Sequence, residues 1–264
     1  MEELLKRFVL QLGEKGRRIT QVIANPSLGR TYLRLRRDHL GFHEYEAWRL
    51  GWLEQLGIRT IFDVGANVGQ FFLLMKHLFP DARVYCFEPL AGPFRELKER
   101  VDRYPGSRAF NCALGASAKN IVFYENRFSA ASSPLPLTAQ TKRFIANVGA
   151  DPEAFRETEI EVECLTLDDV CARSGVEILP ETLIKLDVQG YEDQVILGGE
   201  QVFSKAKVVV AEVSFFEANE GQMLFDGIYT LLRERGFGFY GFIDEQRSPI
   251  DDTVMQADAI FVRP

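Results

Sequence analysis

From Ile58 onward, short apolar runs of strand length alternate with longer segments whose apolar residues recur at helical spacing. That rhythm marks βαβ units, and successive βαβ units build a parallel sheet with helices on both faces. The strand-like runs are 59–64, 83–87, 107–111, 182–187, 207–213, 237–243 and 257–262. Helical spacing falls at 68–79, 93–103, 167–173, 191–197 and 221–235, with Gly236 placed to stop the last. The runs TLIKLDV and KVVVAEV are apolar over most of their length, as strands covered on both faces must be. The expected architecture is therefore α/β, a doubly wound and mostly parallel seven-stranded sheet.

Two stretches break the rhythm. Residues 1–57 show no strand alternation. Leu4, Leu5, Phe8, Val9 and Leu12 recur at helical spacing, and 47–56 reads as another amphipathic helix ended by Gly57. We expect an N-terminal helical cap over 1–57 and the main domain over 58–264. Between Asn120 and Cys164, runs 121–124 and 159–164 alternate like extra strands around a loop-like SAASSPLP at 129–136. Such an insertion lies beyond the carboxyl end of the third strand, the edge where open α/β sheets bind ligands. It is expected to form a lid or substrate wall, with a plain surface excursion as the alternative.

Charge narrows the partners. The 264 residues carry a net charge of −7, which argues against a nucleic-acid binder, because phosphate contacts require a basic excess. Residues 1–50 run the other way, with ten Lys/Arg against six Asp/Glu, clustered at Arg30, Arg34, Arg36 and Arg37. A solvated helix face is the simplest reading of that cluster, and a site for an anionic substrate or a membrane surface is the other. No apolar run reaches the length of a membrane span, and the start lacks a secretory core, so a cytoplasmic location is expected, with peripheral association left open. Cys86, Cys112, Cys164 and Cys171 form no C-x-x-C pair, and His39 and His43, spaced i, i+4, stand without a nearby carboxylate triad. No metal site is expected.

The chemistry concentrates at strand ends. In TIFDVGANVGQF a strand ends in Asp63, followed by Gly65, Asn67, Gly69 and a helix. Gly65 adopts positive φ without cost, and Asn67 tolerates it. Glu88, in RVYCFEP, ends the second strand, 25 residues after Asp63, where an acid accepts hydrogen bonds from an unphosphorylated ribose. The dinucleotide fingerprint G-x-G-x-x-G is absent, which disfavours a nicotinamide oxidoreductase. A carboxylate at Asp63 repels a pyrophosphate but suits the ammonium of a methionine moiety. Asp187 ends the fourth strand of the sheet and is read as a reacting group or as an N-cap for the next helix. Glu192 enters that helix, and Glu212 places a charge within VVVAEVSF that needs a partner or a polar cleft.

Taken in order, DVGANVG, FEP, NCALG, LTLDDV, LIKLDVQGYE and VVVAEVSF resemble the FkbM family of methyltransferases, over roughly residues 58–262. The resemblance implies a class I, Rossmann-like fold that uses S-adenosylmethionine to O-methylate hydroxyls of small molecules, natural products or saccharides. It implies that Asp63, Gly65, Asn67 and Gly69 hold the methionine part and Glu88 the ribose. Asn111, Cys112 and Ala113 would border the adenine. The family often carries Glu where this chain has Gln189, and its loop serine matches Ser132 or Ser133 only loosely. Asp187 is the first choice of catalytic base, with Glu192 and Glu212 behind it. An RNA or protein methyltransferase and a non-catalytic S-adenosylmethionine-binding module are the competing readings.

Overall fold

The computed structural model describes residues 51–264, together with Leu35, Arg37, Asp38, Leu40 and Trp48. The chain divides into two compact units, Met1–Trp48 and Arg49–Pro264. The expected helix at 4–12, the basic cluster at Arg30, Arg34 and Arg36, and both His39 and His43 lie outside the described residues. A short helix α1 (Gly51–Gln55) belongs to the second unit and ends near Gly57, whose φ is 61°.

The second unit is built on β1 (Thr60–Val64), α2 (Gln70–Leu78), β2 (Arg83–Phe87), α3 (Ala91–Val101) and β3 (Arg108–Phe110). After an insertion it resumes with α5 (Leu167–Ser174), β7 (Thr182–Leu186), α6 (Glu192–Leu197), α7 (Glu200–Lys205) and β8 (Val208–Ser214). It closes with α8 (Phe225–Glu234), β9 (Gly238–Arg247) and β10 (Val254–Val262). These strands form a seven-stranded sheet in the order β3-β2-β1-β7-β8-β10-β9. Every pairing is parallel except those of β10, which runs antiparallel to β8 and β9. The chain winds outward from β1 to β3, then returns to lay β7 on the other side of β1, so the switch point lies between β1 and β7.

One sheet face is closed by an apolar core. Phe62, Val64, Ile184, Leu186, Val209, Ala211 and Phe261 pack against Leu167 and Val170 of α5, Val195 of α6, Val202 of α7 and Leu232 of α8. The opposite face carries charge. Register places Asp63 beside Lys185, Lys185 beside Val210, and Glu212 beside Asp258, and residues opposite one another in register share a face.

The insertion holds β4 (Ala113–Leu114), β5 (Lys119–Glu125), α4 (Ala139–Asn147) and β6 (Thr158–Leu165). Its strands form a separate three-stranded sheet, β4-β6-β5. Phe123, Val162 and Cys164 pack with Leu90 and Ala113 into a small second core. The two strands expected at 121–124 and 159–164 are thus an antiparallel pair. The helices α4 and α7 escaped the sequence reading. α4 hides in a polar AQTKRFIAN, and α7 follows α6 after a break of two glycines, Gly198 and Gly199.

Candidate active site

The turn between β1 and α2 explains its glycine and asparagine. Gly65 has φ 81°, and a Cβ there would stand 1.8 Å from the Asp187 carbonyl oxygen. The amides of Gly65 and Ala66 donate to the Phe87 carbonyl at 3.1 and 3.0 Å, and Asp187 N–H donates to Val64 at 3.0 Å. The turn is therefore wedged between the ends of β2 and β7. Asn67, at φ 46°, turns its amide onto Glu88 Oε2 at 2.9 Å, while Leu90 N–H reaches Oε1 at 2.8 Å. Each Glu88 oxygen keeps a lone pair for a further donor. Burial pushes the Glu88 carboxyl up to about 7, against the two amides that favour its charge.

A cleft opens over this turn. It is lined by Gly65 and Asn67, by Glu88 and Leu90, by Cys112, Ala113 and Leu114, and by Asp187, Gln189 and Tyr191. Its lining combines small apolar residues with the carboxylates of Glu88 and Asp187. The insertion supplies its outer wall, where Ser129, Ala130, Ser132 and Pro134 cross the opening. This strap is pinned at both turns: Ser129 Oγ contacts Asn67 Oδ1 at 3.2 Å, and Ser133 Oγ donates to the Gln189 carbonyl at 2.7 Å. The cleft holds about 70 Å³ of free space. Small-molecule pockets hold about 300–1,000 Å³. The free space is well below that range, and the two strap contacts span the opening.

The expected site residues separate into those that line the cleft and those that support it. Gly65, Asn67, Glu88, Cys112, Ala113 and Asp187 line it. Asn111 stands outside, its amide donating to the carbonyls of Glu88 and Pro89 at 2.8 and 2.9 Å, which fixes the loop carrying the acid. Gly69 also stands outside; a Cβ there would meet Leu97 at 2.9 Å, so its bareness serves the packing of α2 on α3. Asp63 is fully buried, and both its oxygens lack a hydrogen-bond partner. Burial raises its carboxyl to about 7, Lys185 opposing and Asp187 adding to the shift.

Asp187 is one-third exposed and accepts from Lys185 Nζ at 2.6 Å and from Gln189 Nε2 at 3.0 Å. It caps no helix amide. Glu192 Oε1 accepts instead from the turn amides, Val188 and Gly190 N–H, at 3.0 and 3.3 Å. Glu192 is buried and raised by that burial to about 7, backbone amides opposing. Glu212 is half-buried and bound by the same Gln189 amide at 2.6 Å. Burial raises it well above the carboxylate range, with Asp187, Glu192 and Asp258 adding and Lys185 opposing.

Lys185 is the centre of this group and was not singled out from sequence. Burial works against its charge, but Asp187, Asp258 and Asp63 outweigh that and raise it above the usual lysine value. Its ammonium also lies 5.3 Å from the Phe71 ring. The signal was present in the sequence: a single lysine in the apolar run TLIKLDV, and a single Asp258 in QADAIFV, each needing a partner. No group of three or more His, Cys, Asp or Glu with metal-holding geometry occurs among the described residues. All four cysteines are unpaired and buried.

A doubly wound sheet whose switch point opens on carboxylates, in place of phosphate-binding glycines, defines a class I, Rossmann-like methyltransferase. The sequence profile of the methyltransferase FkbM domain matches residues 63–239, and the chain belongs to that family. The 2-O-methyltransferase NoeI of Sinorhizobium fredii is 28% identical over 173 residues, which cover 66% of this chain and 70% of that protein. The 31-O-demethyl-FK506 methyltransferase FkbM of Streptomyces tacrolimicus is 29% identical over 195 residues, covering 67% and 72%. Among solved structures, methyltransferase FkbM from Methylobacillus flagellatus KT aligns with a TM-score of 0.49 at 12% identity, over 78% of this chain and 44% of that one.

Proposed function

We propose that this methyltransferase takes its methyl group from S-adenosylmethionine and transfers it to a hydroxyl of a small molecule or saccharide. The observation that carries the reading is the lining of the cleft. Its apolar part, with Cys112, Ala113, Leu114 and Tyr191, suits an adenine, and Glu88 has lone pairs left for a ribose. Asp187 stands in the same lining, and a carboxylate there suits a cation and disfavours a pyrophosphate. When bound, S-adenosylmethionine supplies a methyl on a sulfonium for direct displacement by an acceptor oxygen. Both named relatives are O-methyltransferases, which supports the choice of hydroxyl.

Asp187 is the group placed to receive the hydroxyl proton, because it lines the cleft and keeps lone pairs beyond those given to Lys185 and Gln189. Glu192 shapes the turn that aims it. Glu212 stands behind Gln189 and acts on the site through that amide. Asp63 acts at a distance, by the field it adds beside Lys185. Calorimetry with S-adenosylhomocysteine tests the reading. The native protein is expected to bind it. Glu88→Ala should lose about 1–3 kcal/mol, the cost of leaving two ribose hydroxyls unpaired. Unchanged affinity in a folded Glu88→Ala protein overturns the ribose assignment.

A further inference from the structure

A second concavity lies at the carboxyl edge of the sheet, away from the cofactor cleft. It is a groove of about 360 Å³ lined chiefly by Phe144 of α4, Phe215 and Phe216 just past β8, and Ile250, Val254 and Met255 of the β9–β10 hairpin. Its size falls within the range of small-molecule pockets. Ile250 is 66% exposed and Phe215 39%, beside Phe242 at 38%. A grouped apolar exposure of that kind marks a binding surface more often than solvated skin.

The sheet register ties this groove to the candidate active site. Glu212 and Ser214 alternate within β8 and share a face, and Phe216 follows in the bend just past the strand. Opposite Glu212 and Ser214 across the antiparallel pair stand Asp258, then Gln256, with Gln256 Nε2 on Ser214 Oγ at 3.3 Å. Phe215 N–H continues the ladder to the Met255 carbonyl at 3.0 Å. A polar strip thus runs from Glu212, which Gln189 holds, and Asp258 to Ser214 and Gln256, and the apolar groove opens just past the ends of these paired segments. The step from charged to polar to apolar takes four residues of chain, from Glu212 to Phe216. Glu212, Phe216, Val254, Gln256 and Asp258 are all half-buried. The sequence of surfaces matches a molecule with a polar head and an apolar body.

We propose that the groove seats the apolar body of the methyl acceptor, so that the acceptor is amphipathic, with an alkyl or fused-ring portion joined to the hydroxyl-bearing head that meets Asp187. The inference rests on the methyltransferase reading of the cleft. It commits to a small amphiphile because the surface is concave, is built from three chain segments, and begins directly past Ser214, the end of the strip that carries Glu212 and Asp258.

The test uses the full chain and two probes, glucose and octyl β-glucoside below its micelle-forming concentration, each with and without S-adenosylhomocysteine. Affinities are read by saturation-transfer NMR titration. Octyl glucoside is expected to bind at least tenfold more tightly than glucose. Ile250→Asp, at a position exposed enough to fold, and Phe216→Ser should each remove at least tenfold of that affinity while leaving S-adenosylhomocysteine binding unchanged. Equal binding of the two probes, or alkyl binding indifferent to both substitutions, overturns the proposal. So does a micromolar dimer, seen by light scattering and dissolved by Ile250→Asp, since the groove is then an interface between copies. Failure of the methyltransferase reading shows separately, as absence of S-adenosylhomocysteine binding with the alkyl preference still measured.

Discussion

Asp187 is held by donors of unlike kind, an ammonium and an amide, and the difference assigns their roles. Lys185 stabilises the anion by charge. Gln189 cannot add charge, but its one amide nitrogen joins Asp187 to Glu212. A glutamate at 189, as the family often has, would place a third acid there. Asp187→Asn preserves shape and removes basicity. It is expected to lower kcat by on the order of 10²-fold or more, with the KM for S-adenosylmethionine nearly unchanged. Stopped-time assays on an identified acceptor check it. Folding should survive, because Lys185 retains Asp63 and Asp258 as counter-charges. Near-normal turnover would show that the reaction needs no base at this position.

At the scale of elements, the motif LTLDDV proves to be architecture. Thr166 Oγ1 caps α5 by accepting from Asp169 N–H at 3.0 Å. Asp168 reaches across to the next helix pair, its oxygens accepting from the amides of Gln201 and Val202 at 2.9 and 3.1 Å. It thereby satisfies the open first turn of α7, which has no side-chain cap of its own. Asp168→Ala should cost about 1–2 kcal/mol of stability, typical of a lost cap. Thermal melts should show the fall, while S-adenosylhomocysteine affinity stays as it was. A drop in affinity with no drop in melting temperature would instead make Asp168 part of the site.

At the scale of the molecule, the buried acids couple stability to pH. Asp63 rises from 3.8 to about 7, and Glu88 and Glu192 from 4.5 to about 7. Asp258 rises to about 6. The folded protein thus keeps protons that the unfolded chain has already released. Their contribution is fully present below about pH 4 and is lost as pH rises through the folded values near 7, at up to about 1.4 kcal/mol per pH unit for each group. Melting temperature without ligand should therefore fall between about pH 5 and 7 and level off above. Asp63→Asn, which removes the most deeply buried of these charges, should flatten that slope in a series of melts across pH. An unaltered slope would place the Asp63 proton elsewhere.

The sequence by itself determined the order of the sheet elements, because period-two and period-3.6 patterns are local and burial on both faces leaves apolar runs that nothing else explains. It also marked Gly65, Asn67 and Glu88, since left-handed turns and strand-end acids are written in single residues. It set Asp187 among the candidates but left it between capping and catalysis. Only the tertiary structure shows its partners, by bringing Lys185 and Gln189 onto its two oxygens and leaving the turn amides of Val188 and Gly190 to Glu192. The same holds for Asp63, legible as a charge yet sealed under the turn, and for Asn111 and Gly69, which support the cleft from outside it. The strap of 129–136 looked like a loop in sequence; its place over the cleft depends on Ser129 and Ser133 meeting Asn67 and Gln189, 62 and 56 residues away. Pattern along a chain fixes which face a residue takes, whereas pairing between charges and contact between distant turns arise only when folding brings those faces together.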